Sequence, residues 1–265
     1  VLSWMNTHAN LLMCKIIGLK LKKTFGGKLT FFGIGGAKLD TEVETFLLRA
    51  GFPYAVGYGL TETSPLLTFT VGKTRTPGSI GYTMKGVSLR LDNINPETGE
   101  GEIVAKGPNV MLGYYKDPER TRKAFTEDGW FKTNDLACLD AKGRYYIKGR
   151  LSNMILGASG ENIYPEEIEQ VINGIEDVDE SIIVPRNGKL VALVTFNENT
   201  IDWNQEGEDE FFRKIEAYKA KILSIVNKNV NRTSKVSDVQ ILKEPFEKTA
   251  TRKIRRFKYL HTQGL

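Results

Sequence analysis

The stretch Val56-Gly57-Tyr58-Gly59-Leu60-Thr61-Glu62-Thr63-Ser64-Pro65 sets a hydroxyl beside a carboxylate in a turn hinged by glycine. Thr61 can donate a hydrogen bond to a phosphoryl oxygen. Glu62 can hold a hard cation such as Mg²⁺, which takes few carboxylates and leaves its other positions to water and phosphate. Gly59 lets the backbone come close to such a ligand. A string this short also fits a plain strand-to-loop turn with a solvated Thr-Glu pair, so its weight depends on the motifs downstream of it.

Further runs come in order along the chain. Gly129-Trp130-Phe131-Lys132-Thr133-Asn134-Asp135 precedes Lys148-Gly149-Arg150 and then Gly157-Ala158-Ser159-Gly160-Glu161-Asn162-Ile163-Tyr164-Pro165. Last comes Lys248-Thr249-Ala250-Thr251-Arg252-Lys253-Ile254-Arg255-Arg256. With these motifs in this order the chain resembles, over nearly its whole length, the C-terminal half of an AMP-forming acyl-CoA synthetase of the adenylate-forming superfamily. Within that superfamily it resembles the long-chain fatty-acid branch. The resemblance implies a two-step ligase. A carboxylate, whose own leaving group would be oxide, is joined to AMP with expulsion of pyrophosphate, and the thiol of coenzyme A then displaces AMP. ATP, Mg²⁺ and coenzyme A are the implied cofactors and cosubstrate, and a small carboxylic acid, here a fatty acid, is the implied partner.

The resemblance also assigns roles. Lys253, just before Ile254-Arg255-Arg256, is the implied catalytic cation that meets the charge gathering on the α-phosphate, with Thr61 and Glu62 as the other catalytic residues. Lysine suits such a point-charge contact. Without the family, the same residues read as a solvated basic tail, because Lys248, Arg252, Arg255, Arg256 and Lys258 surround Lys253. Asp135, an acceptor-only carboxylate when ionised, suits two vicinal ribose hydroxyls, and Arg150 supports the same nucleotide. The alternative for Asp135 is a turn residue after Asn134. Gly35-Gly36-Ala37 is implied to lie beside the adenine and the acyl substrate, and Tyr58-Gly59 sits at a second strand end where ligands collect. Gly157 to Gly160 is implied to line a tunnel for the pantetheine of coenzyme A, a plain flexible turn being the alternative. Three positions depart from the family: Asn134 and Arg252 stand where Gly is usual, and Ser152 stands at a hinge position where Asp or Lys is common.

The elements that must position these residues fall into three stretches. Residues 1–76 read as the end of a parallel-sheet α/β subdomain: a helix from Leu2 to Leu21 interrupted at Gly18, a buried strand from Leu29 to Ile34, a helix opened by a Thr41–Glu44 capping box and closed by Gly51, and a strand from Tyr54 to Tyr58. Residues 77–149 carry short strands at Val87 to Leu91, Glu102 to Ala105 and Tyr145 to Ile147, and read as a small β-barrel-like subdomain. A helix capped by Asp117 and led by Pro118 interrupts it, and Met111-Leu112-Gly113-Tyr114-Tyr115 reads as its core and turn. Residues 150–265 read as a mobile α+β lid domain. It has a helix led by Pro165, a hairpin at Asn187-Gly188, a helix from Asp209 to Asn229 and a strand near Val239, after a hinge at Leu151-Ser152-Asn153.

Composition adds bounds. With 265 residues, 40% hydrophobic and 26% charged, the chain is globular rather than disordered. A formal net charge of +5 suits anionic ligands, but no aromatic-basic module points to nucleic acid. Cys14 and Cys138 lack metal-ligand spacing, and His8 and His261 have no partner at triad spacing. The two cysteines indicate no disulfide framework, which points to a reducing cytoplasm, and no apolar run is long enough to span a bilayer, so any membrane contact is expected to be peripheral. Two other readings stay open: a branch activating aryl, amino or short-chain acids, and a non-catalytic nucleotide-binding module. Members of the family carry a Ser/Thr/Gly-rich phosphate loop upstream of the Thr61-Glu62 turn, and none precedes it here, so the expectation is an inactive fragment. The 265-residue chain alone is therefore expected to give no ATP–pyrophosphate exchange with any carboxylic acid, and robust exchange by the purified chain would overturn that.

Overall fold

The structure, a computed structural model, describes residues 2–157, 160–198, 200–205, 207, 209–250 and 252–260. They fall into two compact units, Val1–Lys148 and Gly149–Leu265. The fold is mixed α/β with several separate sheets.

The first unit opens with α1 (Leu2–Thr24), β1 (Phe32–Ile34), α2 (Thr41–Arg49) and β2 (Tyr54–Gly59). β1 and β2 pair in parallel, Phe32 opposite Tyr54 and Ile34 opposite Val56, which makes the β-α-β unit that the apolar pattern predicts. Gly18 does not interrupt α1. A Cβ there would lie 2.3 Å from the Ala50 carbonyl oxygen, so this glycine is the point where α1 meets the end of α2. The cap of α2 differs from the expected Thr41–Glu44 box. Asp40 is the N-cap, its Oδ1 accepting from the amides of Glu42 and Val43 at 2.9 Å each. Glu44 instead turns inward, where its carboxylate accepts from Tyr54 Oη at 3.1 Å and from the Gly78 amide at 2.7 Å. Gly51, at φ +65, ends the helix as expected: its amide donates to Leu48 O and that of Phe52 donates to Leu47 O. Leu47, Phe52, Tyr54 and Val56 form the buried cluster beneath.

β3 (Leu66–Phe69) and β4 (Tyr82–Thr83) extend this sheet in the order β1-β2-β3-β4, but antiparallel, so a single parallel pair stands where a parallel sheet was expected. The second sheet runs β5 (Ser88–Asp92), β6 (Gly101–Lys106), β7 (Phe131–Leu139) and β8 (Tyr145–Arg150). Between β6 and β7 lies α3 (Pro118–Lys123), capped by Asp117 and led by Pro118 as expected. Among the described residues this sheet is open, which corrects the barrel-like expectation: it buries Ile103, Ala137 and Tyr145 against Tyr58 and Ile80 rather than closing by strand pairing.

In the second unit a short antiparallel pair, β9 (Ile155–Leu156) and β10 (Asn162–Ile163), precedes α4 (Pro165–Asn173). The hairpin β11 (Val178–Arg186) and β12 (Lys189–Phe196) turns through Asn187 at φ +48 and Gly188 at φ +73, the double left-handed turn that an Asn-Gly pair favours. Then come α5 (Asp209–Asn229), β13 (Val236–Ile241), parallel to β12, and α6 (Phe257–Leu260). Strands β11 and β12 of this sheet are buried on both faces, which explains their largely apolar runs Ser181 to Val184 and Leu190 to Phe196. Ile183, Ala192 and Val194 pack on Ile172 of α4 and on Ile222 and Val226 of α5. On the other face, Ile182, Val184, Val191 and Leu193 pack on Phe246, Ile254 and Tyr259 of the C-terminal segment. No described helix is long and apolar enough to cross a membrane.

Replacing Glu44 with Ala strands two donors, the buried Tyr54 hydroxyl and the half-buried Gly78 amide. A loss of about 2–3 kcal/mol in urea unfolding is expected, and a variant as stable as the parent chain would show that this carboxylate is dispensable.

Candidate functional site

In the first unit the site begins where β2 ends. A Cβ on Gly59 would lie 1.6 Å from the Pro65 carbonyl oxygen, so the chain can fold back here only through glycine. Thr63, fully buried, locks the turn: its hydroxyl donates to Pro65 O at 2.6 Å and accepts from the Leu60 amide at 3.0 Å. The Asn109 side-chain amide clamps the same turn from outside, donating to Thr63 O at 2.8 Å and to Leu66 O at 3.0 Å. The result is an exposed Thr61 beside a half-buried Glu62.

Glu62 is held by the run that reads as core and turn in the sequence. Tyr114 Oη donates to Glu62 Oε1 at 3.0 Å, and the Met111 amide donates to Glu62 O at 2.8 Å. Burial, and then the Glu62 hydrogen bond, push the Tyr114 phenol up, which keeps it a donor; the Arg120 guanidinium lies 3.9 Å from its ring centre. Asn109 and Tyr114 are the site residues that sequence reasoning missed, although Tyr114 lies within a run it singled out. Among the described residues no group of three or more His, Cys, Asp or Glu forms a metal cluster. A cation on Glu62 would therefore take most of its ligands from water and phosphate, which is the habit of Mg²⁺.

Asp135 lies in a strand rather than a turn. It is 4% exposed in β7, and its Oδ2 accepts from Tyr58 Oη at 2.8 Å across 77 residues of sequence. Asn134, the residue before it, adopts φ +62, where the pairing of β6 with β7 shifts register. Buried Glu102 stabilises that kink by accepting from the Asn134 amide at 3.0 Å; burial pushes the Glu102 carboxyl up, and this hydrogen bond opposes the push. Asn thus takes the left-handed backbone that Gly would take. The Gly35-Gly36-Ala37 turn is exposed at the end of β1, Gly36 at φ +89, with a Cβ on Gly35 placed 3.1 Å from Gly57 O of β2. Tyr58, Gly59, Thr61, Glu62 and Asp135 are thus brought together, and the Gly35 turn stands beside the same strand.

In the second unit, Arg150 is exposed at the end of β8. Gly157 and Gly160 form the turn between β9 and β10: the Gly160 amide donates to Gly157 O at 3.0 Å, and Gly160 has φ +85. Ala158 and Ser159 lie outside the described residues. Leu151–Asn153 forms one tight helical turn. Lys253 is exposed on a loop closed by a bridge between Lys248 and Ile254, with the Thr249 amide donating to Lys253 O at 2.8 Å and the Lys253 amide to Thr249 Oγ1 at 3.1 Å. Arg252, like Asn134, takes a left-handed φ, here +60; Thr251 lies outside the described residues. Of the surrounding basic residues, Lys248, Arg252, Arg255 and Lys258 are exposed and Arg256 is half-buried, and several of them are paired. Lys248 pairs with Glu180 at 2.7 Å, Lys258 pairs with Glu247, and Arg256 pairs with buried Glu169. Among the described residues Lys253 has no such carboxylate partner.

The chain is similar to known proteins. The AMP-binding enzyme family profile matches residues 3–115. A chloroplastic long-chain-fatty-acid–[acyl-carrier-protein] ligase of Arabidopsis thaliana is 30% identical over 93% of this chain and 36% of its own. A 2-succinylbenzoate–CoA ligase of Enterococcus faecalis is 33% identical over 70% of this chain and 40% of its own. The crystal structure of ATP-bound MatB from Rhodopseudomonas palustris superposes with a TM-score of 0.70 at 29% identity, over 90% of this chain and 46% of that one. The chain thus spans less than half the length of each of these relatives.

The turn after β2 can be tested directly. Gly59→Ala forces a methyl into the Pro65 carbonyl, and a loss on the order of 2–4 kcal/mol is expected. A thermal melt unchanged from the parent chain would mean that the backbone does not fold back as described.

Proposed function

We infer that this chain, which belongs to the AMP-binding family of adenylate-forming enzymes, carries nucleotide-handling residues of an ATP-dependent long-chain fatty-acid–CoA ligase. The observation that carries the reading is the buried Asp135 carboxylate held by Tyr58, three residues before the exposed Thr61. An ionised carboxylate fixed in this way offers acceptor oxygen to a pair of vicinal hydroxyls and nothing to a phosphate. Thr61, exposed on a locked turn, donates to a phosphoryl oxygen. Glu62, oriented by Tyr114, would hold Mg²⁺, which when bound supplies charge neutralisation at the phosphates.

In the first half-reaction the acid carboxylate attacks the α-phosphorus of ATP, the bond to pyrophosphate breaks, and an acyl-adenylate forms. Negative charge grows on the α-phosphoryl oxygens, and the exposed ammonium of Lys253 meets it there. In the second, the thiol of coenzyme A adds to the acyl carbon, loses its proton and expels AMP, with the Gly157 to Gly160 turn allowing the pantetheine to approach. Arg150 supports the nucleotide in both. The long-chain acid follows from the motif resemblance and from the name of the Arabidopsis relative. The match to a 2-succinylbenzoate ligase favours an aryl-acid branch as the second reading, and turnover of palmitate against 2-succinylbenzoate by the full-length protein separates the two.

Two measurements test the residue roles in a full-length synthetase carrying this chain. Asp135→Ala should erase the preference for ATP over 2′,3′-dideoxy-ATP, a difference of about 10-fold or more when hydrogen bonds to a charged group are lost; a retained preference would move the ribose elsewhere. Lys253→Ala should slow acyl-adenylate formation by about 10²–10³-fold, the scale for one lost charge-stabilising donor. Thioester formation from supplied acyl-adenylate should survive, and equal damage to both half-reactions would sink the assignment.

A further inference from the structure

Arg256 follows Lys253 by three residues and, unlike the exposed lysine, is half-buried. Its guanidinium grips Glu169 with two prongs, Nη1 to Oε1 at 2.8 Å and Nη2 to Oε2, and Glu169 Oε1 also accepts from the Ile183 amide at 2.7 Å. Glu169 is 5% exposed on α4. Three elements, α4, β11 and the C-terminal segment, therefore meet on one buried carboxylate. As a source of stability this is a poor choice, because a buried ion pair barely offsets the loss of its hydration, and apolar residues of the same volume often do as well. Its advantage is direction: the planar guanidinium fork accepts a carboxylate in one geometry only.

What that geometry fixes is the base of the Lys253 loop. Between the two residues, Ile254 packs into the cluster with Phe246, Ile182 and Val184. The Arg255 amide donates to Glu247 O at 2.9 Å, and the Arg256 amide donates to Ile254 O at 3.0 Å. Lys248 and Ile254 bridge the two arms of the loop, and Lys248 is itself tied to Glu180 on β11. The loop leaves the sheet from a rigid base, and Lys253 is the last residue before the chain returns to it.

We propose that the Glu169–Arg256 pair is a positioning device for Lys253, acting on the first half-reaction through that lysine alone. The proposal rests on the reading that Lys253 meets the α-phosphate, and the experiment separates the two. In a full-length synthetase carrying this chain, Lys253→Ala, Arg256→Ala, Arg256→Lys and the double variant Lys253→Ala/Arg256→Ala are compared in single-turnover assays of each half-reaction. Arg256→Lys keeps the buried positive charge but not the fork, so it preserves the test if Arg256→Ala fails to fold. Both Arg256 variants should slow adenylate formation about 10- to 100-fold, with KM for ATP little changed, as for a misplaced rather than missing group. Thioester formation from supplied acyl-adenylate should stay within about threefold of the unaltered enzyme. The double variant should be no slower than Lys253→Ala alone, because a residue that acts through another has nothing left to position. If Lys253→Ala is slow but the Arg256 variants are not, if they slow both half-reactions alike, or if the double variant multiplies the two losses, the pair is merely structural. If Lys253→Ala itself leaves adenylation intact, the role of Lys253 fails and the positioning inference falls with it.

Discussion

The hydrogen bond from Tyr58 to Asp135 is the constraint on which the candidate site of the first unit depends. It crosses from the end of β2, in the mostly antiparallel first sheet, to the middle of β7 in the second. Neither sheet alone would hold a carboxylate and the Thr61–Glu62 turn in register. With the bond in place, the turn leaves β2 from a fixed tyrosine, and the Asp135 side chain, 4% exposed, has the Tyr58 hydroxyl as a donor. Glu102 and Thr133 extend the same network: Glu102 receives the Asn134 amide, while the Thr133 hydroxyl donates to Ile103 O at 2.7 Å and accepts from the Asp135 amide at 3.1 Å.

Local signals in the sequence were legible. Asp117 with Pro118 opens α3, Asn187-Gly188 turns the hairpin, and Asp209 to Asn229 is one helix, each because the deciding interaction spans four residues or fewer. The misreadings share the opposite property. Glu44 has the spacing of a capping residue, but its partners are Tyr54 and Gly78, the latter 34 residues away, and burial between them outweighs the cap. β7 could not be read as a strand because Asn134 suits a turn, whereas it is a kink inside the strand. Tyr114 gave no sign of its tie to Glu62, since 52 residues separate them. Within the basic run around Lys253, the inward turn of Arg256 could not be read because its partner Glu169 lies 87 residues before it.

Asn134 and Arg252 show how backbone shape can outlast the residue that suits it best. Both stand where the resembled family commonly has Gly, and both hold a left-handed φ, +62 and +60. Asn tolerates this region because its short polar side chain adapts to it, whereas Arg has no such excuse and carries a strain of about 1 kcal/mol. At Arg252 the Thr249–Lys253 backbone pairing holds the loop in shape against that strain.

The C-terminal segment is part of the interior, since Phe246, Ile254 and Tyr259 pack on one face of β11 and β12. A lysine on a free tail would have to surrender its backbone freedom on every encounter with an anion, at about 1–2 kcal/mol per residue fixed. Here that ordering happens once, during folding, and is charged to the hydrophobic interior. An anion that met Lys253 would meet a side chain on an anchored loop rather than a rope's end.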